Sequence, residues 1–543
     1  MDLEKPYLGV MFALLLFLGV GNLWDHRVAH EFPYGYFASD TFQQQTRAEG
    51  IKDAGSYLYE PPFIVKGYTD VVGYYPPVIH HLGILLHYSS GVPLYDTIYL
   101  MVFLSAILAT FVMYMIIRET SKLVAILSLP LSVLLFFSKS FIGFTWGHWA
   151  SIVGQLFLIC IFWSLMKKDV KQSWVLLGIS FAGLALSHTS ELVYGAGFVI
   201  LYGAYLACVG QFSKDYVKAL LYAALVSGVF AFYNLLVFVQ SFQVVNPYTF
   251  QVSKDWGGTP IFALGDFGWL LLIMAVGLVV SVLKHRKVAI PFLIGMFMLL
   301  IGYTNYIGFG IRAFQPRLFW PLYFMFFLGF GLYVAINFLS ENARCAAAMG
   351  IAVVLLILFS GAVQVSGIPS YAKLSGQGLM DEWHWEGFQW ISQNTPNDAK
   401  IYYFYGDVYG QDAILRNSKR FHAQVVPEDF IKGVQNGTIR RVFETEVPAD
   451  HGAGMPYWKS FPIIGLHQRE DMGKFMWKTV HDVCDFDYFV FDKLSRIEAL
   501  SQYNLLIANS ALGNNSTLVF QNDVVAIVRN DKKGGECIEE GTF

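Results

Sequence analysis

Eleven stretches of this sequence are apolar over lengths suited to crossing a bilayer, and no other feature constrains the fold as strongly. They lie near residues 7–23, 95–117, 122–138, 149–166, 173–187, 192–208, 218–240, 267–284, 288–305, 318–338 and 345–363. A hydrocarbon core takes roughly 20 apolar residues to cross. A backbone inside it must satisfy its own hydrogen bonds, which helices do. Composition agrees: 55% of residues are hydrophobic, 14% are charged and mean hydropathy is +0.47, whereas soluble domains carry about 25% charged residues. The expected fold class is a polytopic α-helical membrane protein of about 11 spans with its N-terminus inside. A net charge of −3 gives no case for nucleic acid as a partner. The run 7–23 lacks a small-residue cleavage site and reads as an anchor.

Charge sets the topology. With the N-terminus inside, the cytoplasmic turns carry Arg118 and Lys122, then Lys167, Lys168 and Lys171, then Lys214 and Lys218, then Lys284, Arg286 and Lys287, and last Arg344. This follows the positive-inside rule. It holds only if residues 78–89, VIHHLGILLHYS, form an amphipathic helix in the interface rather than a span. The first loop, 24–94, a further outer loop at 241–266 and everything after about 364 then face outward from the cell (plasma) membrane. Residues 1–364 form the transmembrane domain and 365–543 a soluble extracytoplasmic α/β domain. In the latter, helical patterns at 383–393, 470–480 and 495–509 alternate with strand patterns at 400–404, 487–492, 517–521 and 524–528. Cys484 and Cys537 fall in this outer region and are a disulfide candidate. No Asp, Glu, Lys or Arg lies deep within a span, which argues against ion-coupled transport.

The polar, aromatic loop 34–81 holds the first candidate residues. Asp40, in SDTFQ, is placed to cap a helix starting at Thr41, and it is equally a carboxylate at the membrane surface able to act as a base or metal ligand. Arg47 lies seven residues on, on the same face, within reach of a nearby carboxylate. Arg312 and Arg317 sit at the outer end of a span, against the charge bias. They either snorkel to the interface or hold a phosphate through a bidentate guanidinium contact. His188 and Glu191, three residues apart, suit a helix-terminal hydrogen-bonding cluster or two ligands of a metal. His148 faces the same side of the membrane as an interfacial histidine or a site residue.

ASDTFQQQTRAEGIKDAG at 38–55, YYPPVIHHLGILL at 74–86 and EGFQWISQNTPNDAKIYYFYGDVYGQDAILRNSKR at 386–420 together resemble the GT-C superfamily of glycosyltransferases. Within it they look most like the catalytic subunit of the single-chain oligosaccharyltransferases of archaea and bacteria. That resemblance implies a GT-C-like fold and a polyprenyl-phosphate- or pyrophosphate-linked sugar donor taken up from the membrane lipid. It also implies an extracytoplasmic protein or glycan acceptor and inversion at the anomeric carbon. Asp40 becomes the catalytic base or acceptor-binding acid, Arg317 with Arg312 the phosphate-binding pair, and Asp255 the acid of a Val-Ser-Lys-Asp stretch resembling the family's re-entrant loop. The sequence departs from the pattern in that re-entrant stretch, where Lys254 replaces the family's Glu, and in two further places. The family's WWDYG signature falls on YFYGDVYG at 403–410, without tryptophan. The second outer loop, SKSFIGFTWGHW at 138–149, has no acid, and His148 is its polar substitute. A pyrophosphate donor calls for Mg or Mn to offset charge on the leaving group, whereas a monophosphate donor works with arginine and without metal. The alternative to an enzyme is a non-catalytic lipid-linked-glycan binding or accessory subunit of the same fold.

Overall fold

The computed structural model describes residues 3–27, 31–34, 36, 39–64, 73, 75–136, 141–145, 147–167, 173–243, 268–301, 319–337, 343–359, 380–404, 412–425, 431–433, 435–436, 441–444, 479–493, 505–508, 515–535 and 537. Helices run α1 (Glu4–Arg27), α2 (Ser39–Ala54), α3 (Val78–Ser90), α4 (Leu94–Thr120), α5 (Lys122–Ser128), α6 (Ile142–Thr145), α7 (Trp149–Met166) and α8 (Ser173–Ala185). They continue with α9 (Thr189–Cys208), α10 (Lys214–Gln243), α11 (Leu270–Lys284), α12 (Arg286–Ile301), α13 (Trp320–Asn337), α14 (Ala343–Phe359), α15 (Glu382–Asn394) and α16 (Asp412–Leu415). Strands are β1 (Lys400–Phe404), β2 (Phe421–Val425), β3 (Arg441–Glu444), β4 (Thr479–Asp482), β5 (Tyr488–Asp492), β6 (Ser516–Gln521) and β7 (Val525–Asn530). The chain divides into two compact units. One comprises residues 1–24, 76–238 and 247–373. The other comprises 25–75, 239–246 and 374–543.

In the first unit every apolar run contains a helix. Among the described residues, four helical segments are long and apolar enough to cross a membrane: Leu94–Thr120, Trp149–Met166, Glu191–Cys208 and Lys214–Val237. Shorter apolar helices accompany them. The run 122–138 is broken: α5 gives way at Leu129 to a 3-10 turn through Leu135, with Pro130 at its start. Glycine sets the packing of α13. A Cβ at Gly277 would lie 1.9 Å from the Phe327 carbonyl oxygen, one at Gly331 2.2 Å from that of Ile273, and one at Gly329 2.3 Å from that of Val124. Only a hydrogen fits at such backbone-to-backbone contacts, the usual means of close helix pairing where lipid removes the hydrophobic drive. The residues at 78–89 do form a helix, α3. It ends at Gly91, whose φ of 71° suits glycine and whose N–H donates to the His87 carbonyl at 2.8 Å. Glu4 is buried at the start of α1 and accepts from Tyr114 Oη at 2.7 Å, from Arg118, and from Lys122 Nζ at 2.9 Å. Arg118 and Lys122, two of the cations in the charge pattern, are thus tied to the first helix.

The second unit is built on a five-stranded sheet of order β2-β1-β5-β7-β6, with a separate β3-β4 pair. β1 runs parallel to β2 and β5, whereas β7 runs antiparallel to β5 and β6. β1 and β5 are buried along all but their first residue, so their sequences are almost continuously apolar. Tyr403 packs toward Phe388 of α15, with ring centroids 5.9 Å apart. Tyr402 and Phe404 point to the opposite face, with Phe486, Phe489 and Phe491. On that face Cys484 and Cys537 are joined by a disulfide, Cα–Cα 5.5 Å. Residues 25–75 belong to this unit. The helical pattern expected at 470–480 fails where it can be seen: Thr479 and Val480 open β4, which pairs with β3. A β-branched pair with a strand partner outweighs the local pattern. Residues 470–478 and the expected boundary at 364/365 lie outside the described residues.

Candidate active site

α2 is a polar helix that is nevertheless buried. Thr41, Gln43, Gln44, Gln45, Thr46 and Arg47 are each no more than 7% exposed. Buried polar groups cost about 1–3 kcal/mol each when left without partners, and these side chains are partnered except at Gln45 Oε1. Gln44 Nε2 donates to Tyr75 Oη at 2.8 Å, Thr46 Oγ1 to the Phe42 carbonyl at 2.8 Å, and Gln45 Nε2 to Asn417 Oδ1 at 2.8 Å. Arg47 lies 3.4 Å from Glu60 and 3.5 Å from Gln43 Oε1, with its guanidinium 4.7 Å from the centre of the Tyr75 ring. Gly50 admits the close approach of Pro61, whose Cγ would stand 2.4 Å from a Cβ there.

Asp40 is half-buried in the first turn of this helix. The helix begins at Ser39, so Asp40 lies inside the first turn instead of capping it from outside. Its carboxylate still gains from the positive end of the helix dipole. The opposite face of α2 is tied to the C-terminal segment. Lys419 Nζ lies 2.5 Å from Asp53 and 3.4 Å from Glu49. Burial weakens the ammonium, yet the two carboxylates hold Lys419 above the ordinary lysine value.

The other candidates belong to the first unit. His188 Nδ1 bonds Glu191, which is fully buried and also accepts from Ser151 Oγ and from Gln155 Nε2, the latter at 3.3 Å. Gln155 in turn accepts from Tyr323 Oη. This polar chain runs from α9 through α7 to α13 and ends at an apolar cleft lined by Met113, Phe162, Pro291 and Tyr323 among others. His148 is buried just ahead of α7, where its carbonyl accepts from Ile152 N at 3.0 Å. Asp255, Arg312 and Arg317 lie outside the described residues. Among the described residues, no three His, Cys, Asp or Glu side chains gather as a metal set.

The same fold has been solved in several other proteins. The archaeal oligosaccharyltransferase AglB of Archaeoglobus fulgidus, in complex with an inhibitory peptide and a dolichol-phosphate, superposes with a TM-score of 0.54 at 11% identity, over 96% of this chain and 80% of that one. ArnT of Cupriavidus metallidurans, bound to undecaprenyl phosphate, gives 0.51 at 12% identity over 97% and 98% of the two chains. The mycobacterial arabinofuranosyltransferase AftD gives 0.53 at 13% identity, over 98% of this chain and 40% of that one. The fold is GT-C-like. The chain spans 64% of the length of the archaeal enzyme in its apo form. No family profile and no curated protein sequence matches it.

Within this chain, two clusters escape sequence reading. Asn417 and Lys419 carry no local signal, because their partners lie some 370 residues earlier. The other cluster leaves a trace, D-x-x-H at the start of α15. Asp381 caps that helix, accepting from His384 N at 2.8 Å, and its other oxygen meets His384 Nδ1 at 2.6 Å. Asp492, at the carboxyl end of β5, approaches His384 Nε2 at 3.6 Å. Burial disfavours the charged imidazole, but Asp381 and Asp492 outweigh it and push His384 up to about 9.

That shift has a sign. A folded-state value above the ordinary 6.5 means the folded domain holds this proton more tightly. The stabilisation is complete below about pH 6.5 and is lost as pH rises through 9. Thermal unfolding of the full chain should therefore show the sheet unit weakening between pH 6.5 and 9. His384→Gln should flatten that dependence, by about 3 kcal/mol at its low-pH end.

Proposed function

We propose that this chain is a membrane-embedded glycosyltransferase. It moves a sugar or oligosaccharide from a polyprenyl-phosphate or polyprenyl-pyrophosphate donor to an extracytoplasmic protein or glycan. The observation that carries the reading is Asp40: a half-buried carboxylate at the head of a helix whose buried polar residues are held by Tyr75, Asn417 and Glu60, within a GT-C-like fold. In this reading the chain crosses the plasma membrane about eleven times, with the sheet unit outside. Asp40 takes the proton of the attacking hydroxyl or amide as the bond from the anomeric carbon to the phosphate oxygen breaks, with inversion. Arg317, with Arg312, offsets the charge that develops on the leaving phosphate. Arg47, paired with Glu60, supports α2. Asp255, His148, His188 and Glu191 are the candidate contacts for acceptor or metal. The likeness to structures holding dolichol-phosphate and undecaprenyl phosphate supports a lipid-linked donor.

The second outer loop has no acid, and this favours a monophosphate donor handled by arginine. Purified protein should then transfer sugar from a polyprenyl-monophosphate donor at an undiminished rate in EDTA. Loss of transfer that Mn²⁺ or Mg²⁺ restores would instead establish the pyrophosphate, metal-assisted version. The missing tryptophans at 403–410 favour a second reading, a binder of lipid-linked glycan without turnover. Saturable binding of both donor types with no transfer to peptide or glycan acceptors would establish that reading.

A further inference from the structure

Three polar side chains on α2, Gln45, Glu49 and Asp53, are spaced i, i+4 and i+8 and so form one stripe along the helix. All three meet the same short segment of the C-terminal region. Gln45 bonds Asn417, and Glu49 and Asp53 bond Lys419. The segment is itself fixed. Arg420 caps the end of α15, donating to Thr395 Oγ1 at 3.0 Å, to the Thr395 carbonyl at 2.8 Å and to that of Ser392 at 2.8 Å. Asn417 Nδ2 donates to the Ile414 carbonyl at 2.8 Å and Ser418 Oγ to that of Leu415 at 2.7 Å. Lys419 has φ 53°, the one non-glycine residue with positive φ among those described. Such a backbone is unfavourable for a residue with a side chain and persists only where surrounding contacts over-determine it. The strained turn swings the lysine toward the two carboxylates.

We infer that residues 416–420 are a positioning clamp through which the sheet unit sets the orientation of α2, and with it the placement of Asp40. The inference rests on the proposed transferase reading. Asp53 lies 13 residues beyond Asp40, roughly 20 Å along the axis. A tilt of about 5° at that end displaces the other by roughly 1.7 Å, and a displacement of about 1 Å costs an enzyme up to 10²-fold in rate. Lys419 acts through α2 without touching the sugar, so its removal lowers turnover and leaves donor binding in place.

The test uses the full chain in lipid nanodiscs. Lys419→Glu sets a third acid beside Glu49 and Asp53. It should lower kcat about ten-fold with the donor KM within about two-fold. It should also speed amide exchange across residues 39–54, with β1 and β5 unchanged. Lys419→Arg should retain activity, and Lys419→Glu combined with Asp53→Lys should restore both kcat and exchange. Unchanged exchange in α2 overturns the clamp, as does a fall in kcat that comes with faster exchange throughout the sheet and no rescue. Should the wild-type chain transfer no sugar, the transferase reading fails, and the exchange and rescue measurements still decide the clamp.

Discussion

Asp40→Asn is expected to lower sugar transfer by about 10²–10⁴-fold, the range for removing a positioned acid–base group, or roughly 3–5 kcal/mol of barrier. Asparagine matches aspartate in shape and removes only the charge. Stability should therefore change by no more than the roughly 0.3–1 kcal/mol that a carboxylate gains from the helix dipole. That contrast makes the experiment decisive. Initial rates from a lipid-linked donor should collapse while the melting profile and the protection of α2 stay near wild type. Asp40→Glu keeps the charge but shifts it by about one bond length, and should recover only part of the rate. Transfer at the wild-type rate by Asp40→Asn would remove Asp40 from the mechanism.

The second large effect is structural. Cys484 and Cys537 close a loop of 53 residues, and losing a bridge of that length costs a domain about 2–5 kcal/mol. The bridge sits among Tyr402, Phe486, Phe489 and Ile507. The Cys484 carbonyl also accepts from Gly534 N at 2.9 Å and from Asn530 Nδ2 at 3.1 Å. Opening it therefore loosens the hold on the turn that follows β7. Replacing both cysteines with serine should lower the unfolding midpoint of the sheet unit by several degrees or more. The helical signal of the other unit should change little. Reductant applied to the wild type should reproduce the effect, and an unchanged midpoint in the double variant would show the bridge to be dispensable.

Local elements were readable because their signals are local. KIYYF at 400–404 is β1 residue for residue, and the apolar run at 149–166 is α7. Arg47 was placed beside a carboxylate, and Glu60 supplies it. Long-range pairing was not readable. β4 looked helical because its partner β3 lies some 35 residues earlier, and period alone does not reveal a partner. The helix α2 could be read as a helix, but not as one buried against residues 414–420. Its face is polar, and burial of a polar face shows only in the hydrogen bonds that satisfy it. His384 was part of a helical pattern, and its charge depends on Asp492, more than a hundred residues away.

The bond from Gln45 to Asn417 joins residues 372 positions apart, and it imposes an order on biogenesis. Ribosomes add roughly 5–20 residues per second, so α2 leaves the tunnel some 20–70 s before its partners exist. Through that interval the apolar runs emerge and insert, while the stripe of Gln45, Glu49 and Asp53 has only water or a chaperone to meet. Completion of this helix is therefore among the last events of assembly. A nascent chain halted before residue 414 would carry Asp40 on a helix whose Gln45, Glu49 and Asp53 have not yet met Asn417 and Lys419.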